Sequence, residues 1–247
     1  MRSPPLPRST RLTSSPANPL LAPTVDWEHP SDPLQGQHYT FLLSSIRQYL
    51  PSPLFTLTSA LPGSAWALRN ILLSLAARHL DFINLMCYDY SGPWTRVSGH
   101  HAALFAPGDA SAPSGHAAVT HCITQQVPAA KILLGVPCYG RAFPGATGPG
   151  QAFTPAASDD DGGTFEFRDL PPPAAAAFLD EKAVAAYCVG GAAGFVSYDL
   201  PSTVRMKARF AREARLAGLF YWTGTGDCVD GGEEESLVVA GYCELHR

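Results

Sequence analysis

From residue 24 onward, apolar and polar positions alternate between two rhythms. Short runs that are apolar on both faces, "TVDWE" (24–28), "LFTLTSALPG" (54–63), "FINLMCYDY" (82–90), "KILLGVPCYG" (131–140) and "GLFYW" (218–222), read as strands. Between them, Tyr39, Leu42, Leu43, Ile46 and Leu50 fall at helical spacing and predict a helix over about 36–50. Further helices are expected near 65–80, 116–126 and 202–216. Strand–helix alternation of this kind predicts parallel βα units. Residues 141–200 break the rhythm with "TFEFRDL", an Ala-rich stretch read as a helix, and "GFVSYDL". They predict a small α+β lobe between the fourth and fifth strands.

Five βα units cannot close a barrel, which needs eight strands. An open sheet would carry its functional residues at a topological switch point. Here the polar and aromatic residues sit at the C-terminal ends of successive strands: Asp26 and Glu28, Tyr88 and Asp89, Tyr139 and Arg141, and Trp222. That distribution belongs to a barrel mouth. The expected fold is therefore α/β, a partial TIM-type (β/α)8 barrel with strands four to eight present, carrying an inserted α+β lobe. The organisation that follows is a disordered leader over 1–23, barrel units over 24–140 and the lobe over 141–200. Residues 201–247 complete it with the last barrel helix, the final strand and a C-terminal tail.

Composition narrows the function classes. Charged residues are only 15% of the chain, against roughly 25% in an average globular protein. So few charges imply many buried positions. The net charge of −4, with no basic run, argues against a nucleic-acid partner. No apolar stretch approaches the ~18 residues of a membrane helix. Six cysteines at irregular spacing, without CxxC, and eight histidines without ligand spacing give no metal site. Cys87 and Cys138 read as buried thiols, and a Cys228–Cys243 disulfide is left open. His100 and His101 lie in a polar stretch and read as solvated. The leader holds six prolines, four serines and three arginines without an acid, and has no secretory h-region.

The candidate chemistry begins at the first strand. Side chains alternate along a strand, so Thr24, Asp26 and Glu28 share one face and Val25 and Trp27 the other. Two carboxylates so placed on a buried face repel each other and are poorly solvated, the setting in which one keeps its proton. An acid beside a carboxylate is the pairing that glycosidic cleavage uses. The same short pattern also fits a solvated turn after a strand.

Several segments then point one way. "VDWEHP" resembles the end of the signature of family 18 chitinases, D-x-x-D-x-D-x-E followed by Tyr-Pro. "NLMCYDY" is similar to that family's Met-x-Tyr-Asp strand, "KILLGVPCYGRAF" to its seventh strand and "GLFYWTGTGD" to its eighth. "EKAVAAY" and "FVSYDLPSTVRMKARFAREARLAGLFYW" are similar to the inserted lobe and the return into the last βα unit. The motifs keep the family order and spacing over residues 24–227.

The resemblance implies hydrolysis of β-1,4-linked N-acetylglucosamine polymers such as chitin, outside the cell and without a cofactor. Glu28 would be the general acid. The nucleophile would be the substrate's own 2-acetamido oxygen, giving retention through an oxazolinium intermediate. Asp26 would orient and stabilise the acetamido group, and Tyr88 would donate to its oxygen. Asp89 would line the cleft, Trp222 would lie under the sugar at the cleavage point, and Met86, Tyr139 and Arg141 would complete the wall. Plainer readings stand beside these: Met86 as core, Tyr139 with Arg141 as a stacked structural pair, and Trp222 as packing.

The sequence also departs from the pattern. Leu21 and Thr24 stand where the first two aspartates of the signature would be, His29 replaces the tyrosine, and no Ser-x-Gly-Gly segment is present. These departures imply a compromised proton-sharing cycle, and they leave room for a catalytically silent sugar-binding relative or a non-functional fragment. A barrel lacking three strands would expose apolar interior, so the chain alone is expected to be unstable or to aggregate, and to be a monomer if it folds.

Overall fold

The computed structural model describes residues 22–108, 111–154 and 163–247. The expected leader therefore lies, except for its last two residues, outside the described residues. No helix among the described residues is long and apolar enough to cross a membrane.

In chain order the elements are β1 (Thr24–Val25), α1 (Pro33–Tyr49), β2 (Thr58–Pro62), α2 (Ala65–Leu68), α3 (Leu73–His79), β3 (Phe82–Met86), α4 (Gly115–Thr124) and β4 (Ile132–Pro137). They continue with β5 (Tyr139–Phe143), β6 (Thr164–Glu166), β7 (Ala176–Asp180), β8 (Ala185–Gly190), β9 (Gly194–Tyr198), α5 (Pro201–Glu213), β10 (Gly218–Trp222) and α6 (Leu237–Leu245). β1, β2, β3, β4 and β10 form one five-stranded sheet in that order, and every pair in it is parallel. β6, β5, β9, β8 and β7 form a second, antiparallel sheet from the chain between β4 and β10.

The first sheet follows from its residues. β2 is buried along its whole length and β4 nearly so, as expected of parallel strands covered on both faces. Leu61, Ile83, Leu85, Ile132 and Leu134 pack there with Tyr39 and Leu43 of α1 and Val119 of α4. α1 begins where Asp32 accepts from Gln35 N and Pro33 takes the first helical position. The expected helix over 65–80 is instead two pieces, α2 and α3, separated by Arg69–Leu72.

Three further expectations are corrected. The Ala-rich stretch is a hairpin, β7–β8, rather than a helix. Asp180 Oδ1 accepts from Lys182 N and Ala183 N, each at 3.0 Å, and Val184 turns through φ 50°. Phe178 stacks on its cross-strand partner Tyr187 at 5.1 Å. Tight local turn bonding and an aromatic cross-strand pair outweigh the helical preference of alanine. The tail also holds α6. Asp227 organises its start by accepting from Ser236 Oγ, Leu237 N and Val238 N at 2.6–3.0 Å. Finally, β5 enters the antiparallel sheet already at Tyr139, so the change of sheet comes two residues earlier than 141. All six cysteines are free thiols.

Candidate functional site

The strand expected over 24–28 is ordered as β1 only at Thr24–Val25, and the carboxylates sit on the segment that continues it, where exposure still alternates from residue to residue through 28. Val25 and Trp27 pack against the main core, and the Trp27 ring meets Tyr39 edge-on at 6.3 Å. Tyr39 Oη donates to Ser59 Oγ at 2.7 Å, and Ser59 Oγ donates to Val25 O at 2.6 Å. This relay fastens β1 to β2 and α1. Thr24, Asp26 and Glu28 consequently face the other way, into a cleft of about 640 Å³. Tyr88, Asp89, Tyr139, Arg141 and Trp222 line the same cleft, as does Met86. All eight residues singled out in the sequence are thus brought together.

One element of the expectation fails. Asp26 and Glu28 are not on a buried face: both are exposed, the Glu28 side chain to 54%. They look onto the open side of the cleft. His29, half-buried, stands with Nε2 3.8 Å from Glu28 Oε2. Thr24 is engaged by its neighbour strand, its hydroxyl 2.7 Å from that of Thr58.

Tyr88 is buried against Tyr139 and Phe220, with ring centroids 6.1 and 6.2 Å apart. Burial, with the carboxylates of Asp89, Glu28 and Asp26 nearby, pushes its phenol well above the ordinary tyrosine range. Its hydroxyl therefore keeps its proton and remains a hydrogen-bond donor. Gly135 of β4 makes room for this ring: a Cβ there would lie 2.9 Å from Tyr88 and Phe220 and 2.7 Å from Leu85 O.

Asp89 joins the two sheets. Arg141 Nε donates to its Oδ1 at 2.8 Å and Tyr139 Oη to its Oδ2 at 2.9 Å. The backbone of Asp89 has φ 58°, an uncommon conformation for a residue other than glycine. Burial opposes its ionisation, but the side chains of His101 and Arg141 overcome that and hold the carboxyl well below the usual carboxylate range. Tyr139 and Arg141 are a stacked pair, with the guanidinium 5.2 Å from the ring, and they also wall the cleft.

Histidines 100 and 101 are buried, not solvated. His100 sits among Tyr187 and Phe195 with Nε2 3.3 Å from Asp180 Oδ2. His101 packs on Tyr139 at 5.3 Å. Polar neighbours in the sequence hid them, because the apolar rings that bury them come from the distant antiparallel sheet. Glu166 and Thr164 of β6 also line the cleft without having been singled out, as does Phe220 of β10.

A second basin of about 410 Å³ adjoins the first and shares Glu28, Met86, Tyr88 and Asp89 with it. Two exposed indoles, Trp66 and Trp94, line this basin. Glu28 stands where the two meet. No group of three or more metal-ligating side chains occurs among the described residues.

Comparison with known proteins bears out the family resemblance. The family described as Glycosyl hydrolases family 18 matches residues 24–227. Endochitinase 1 of Metarhizium robertsii is 32% identical over 216 residues, covering 82% of this chain and 51% of the relative. Chitinase 1 of Aphanocladium album is 31% identical over 211 residues, covering 80% of this chain and 50% of its own length. The chain thus spans about half the length of these curated relatives. Among solved structures, the class V chitinase of Nicotiana tobaccum superposes with a TM-score of 0.77 at 27% identity, covering 91% of this chain and 68% of that one.

Proposed function

The chain belongs to the glycosyl hydrolases of family 18, and on that premise we propose that it binds and cleaves β-1,4-linked N-acetylglucosamine chains, chitin and its oligosaccharides, by a substrate-assisted retaining mechanism. The observation that carries this reading is the shared cleft of Asp26, Glu28, Tyr88 and Trp222. The relatives are named as chitinases. The parallel sheet reads as part of a (β/α)8 barrel whose strands end at the cleft, and the antiparallel sheet as a lobe inserted between its last two strands.

In this mechanism Glu28 protonates the glycosidic oxygen and later activates water. The 2-acetamido oxygen of the sugar attacks C1. Asp26 accepts from the acetamido N–H and offsets the charge that develops there. Tyr88, held in its protonated form, donates to the acetamido oxygen. Trp222 supplies an apolar face under the sugar ring. The position of Glu28 between two basins supports a substrate that extends on both sides of the broken bond, with Trp66 and Trp94 facing the leaving portion.

The test is Glu28→Gln, which keeps size and removes the proton donor. Turnover of an N-acetylglucosamine tetramer should fall on the order of 10²–10⁴-fold while binding persists, and the wild-type product should form first as the β-anomer by NMR. Undiminished turnover in the variant would remove Glu28 from its role.

A second reading is supported by one contact. Where the family pattern has an aspartate behind Asp26, Thr24 bonds to Thr58 and carries no charge to share a proton. A catalytically silent, sugar-binding protein would bind the tetramer equally well in wild type and Glu28→Gln, with no product from either.

A further inference from the structure

His101 lies between β3 and α4 with no solvent exposure. Its backbone N–H donates to Ser197 Oγ at 3.1 Å, and its carbonyl accepts from Tyr90 N at 3.0 Å. The next residue is held as well, since Lys207 Nζ donates to Ala102 O at 2.7 Å. The backbone that carries the ring is therefore held on both sides. The ring packs at a tilt against Tyr139 with centroids 5.3 Å apart, and Nδ1 stands 3.7 Å from Asp89 Oδ1, a close polar approach longer than a full hydrogen bond. Neither ring nitrogen has a hydrogen-bond partner within bonding distance among the described residues.

Packing alone does not account for a histidine here. A phenyl ring would fill the same space on Tyr139 without burying two unpaired polar nitrogens, an arrangement proteins rarely keep without a reason. The polar group that the ring approaches is Asp89. That carboxylate already holds Tyr139 and Arg141, follows Tyr88 directly in the chain and lines both basins.

We propose that His101 is a positioning residue of the cleft: its buried imidazole, set between Tyr139 and Asp89, holds the Asp89 carboxylate in the orientation that meets the sugar beside Tyr88. The proposal rests on the hydrolase reading above. The Asp89 side chain is 33% exposed and His101 not at all, so the histidine acts from the protein side while the other side of the carboxylate is left to the cleft. Burial also lowers the pKa of His101 below the ordinary histidine value, despite the opposing pull of Asp89. The imidazole is thus neutral and steers Asp89 as a dipole, leaving the charge pairing with Arg141 intact.

The experiment uses the full chain and the N-acetylglucosamine tetramer. His101→Phe keeps the ring and its packing but removes both nitrogens. It should lower kcat by about 10-fold to 100-fold with KM within about twofold, because small misplacements of a positioned group carry costs of that size. His101→Asn, which restores a polar N–H, should recover part of the loss. In an Asp89→Asn background, His101→Phe should add nothing further. Full kcat in folded His101→Phe, or an equal additional loss in the Asp89→Asn background, overturns the proposal.

Ring-nitrogen NMR of the native protein provides a readout that does not need a folded His101→Phe variant. Asp89→Asn should shift the His101 nitrogen resonances and leave those of His116 and His121 in place; unmoved His101 resonances overturn the proposal. If the wild type binds the tetramer but cleaves nothing, the hydrolase reading fails, and the NMR comparison still decides whether His101 and Asp89 are coupled.

Discussion

Arg141 Nε donates to Asp89 Oδ1 at 2.8 Å, so a residue on the first strand of the antiparallel sheet grips the loop that leaves β3 of the parallel sheet. The guanidinium also reaches Thr164 Oγ1 at 2.7 Å through Nη1 and lies 5.2 Å from the Trp94 ring. A planar fork can serve these partners together, whereas an ammonium offers one point charge. Arg141→Lys should therefore behave as a loss. Turnover of the tetramer is expected to fall about tenfold, and denaturant titration should show a loss of about 1–3 kcal/mol, the usual cost of a charge-assisted bond. A lysine variant with wild-type kinetics would mean that only the positive charge matters at this position.

Trp222 separates binding from stability. It is 55% exposed at the end of β10, so its indole contributes little to the core. Trp222→Ala should weaken oligosaccharide binding, followed by calorimetry, by about 0.5–1.5 kcal/mol, the scale of one aromatic stacking face, and shift the thermal midpoint by little. Trp222→Phe should recover part of the affinity. A folded variant with a clearly lowered thermal midpoint and unchanged affinity would make Trp222 a packing residue.

Gly135 was silent in the sequence but is decisive for Tyr88. A methyl group there meets the Tyr88 ring at 2.9 Å, closer than side-chain carbons approach. Gly135→Ala should displace the phenol and lower kcat about tenfold or more, with a stability cost of about 1–3 kcal/mol from overpacking. Unchanged kcat would show that Tyr88 tolerates the shift.

These residues also mark how far the sequence could be read. β10 falls on Gly218–Trp222 as its apolar run predicted, and α1 differs from expectation by a few residues. The cleft residues were legible because they sit at or just past strand ends: period-two alternation puts Thr24, Asp26 and Glu28 together, and Tyr139 with Arg141, whereas the consecutive Tyr88 and Asp89 both reach the cleft from the loop after β3, where Asp89 takes φ 58°. The relay through Tyr39, Ser59 and Val25 shows why that alternation holds. What was not legible depends on contacts between distant segments. The Ala176–Gly190 hairpin is set by a turn and a cross-strand ring pair. The exposure of Asp26 and Glu28 is set by the shape of the whole cleft mouth, and alternation specifies the face but not its distance from solvent. His100 and His101 are buried by Tyr139, Tyr187 and Phe195, which lie tens of residues away along the chain.

That burial makes stability depend on acidity. His100 and His101 both have their pKa lowered from the ordinary 6.5, chiefly by burial. Between that value and their lower folded values the unfolded chain binds more protons than the native one. Stability therefore rises with pH across this window and is lost on acidification below about pH 6.5. Each histidine contributes at most about 1.4 kcal/mol per pH unit. Urea midpoints measured at pH 7, 6 and 5 should fall steadily, and His101→Phe should flatten that slope by up to one proton's worth. A slope identical in wild type and variant would mean that His101 gains its proton in the folded state as readily as in the unfolded chain.

The Lys207–Asp199 pair lies deeper still, with Nζ 2.5 Å from Oδ2 and both side chains almost fully buried. Asp199 also accepts from Thr203 Oγ1 at 2.7 Å, and Lys207 reaches the carbonyl of Ala102, beside His101. Removing one partner leaves the other charged and uncompensated where water cannot reach it. Lys207→Met should cost about 3–5 kcal/mol, read from denaturant titration. Replacing both, Lys207→Met with Asp199→Leu, removes the stranded charge and should recover much of that stability. The double variant should nevertheless turn over substrate more slowly than wild type, because Ala102 loses its anchor and the neighbouring ring of His101 is no longer held from that side. If the double variant regains both stability and full kcat, the pair serves folding alone.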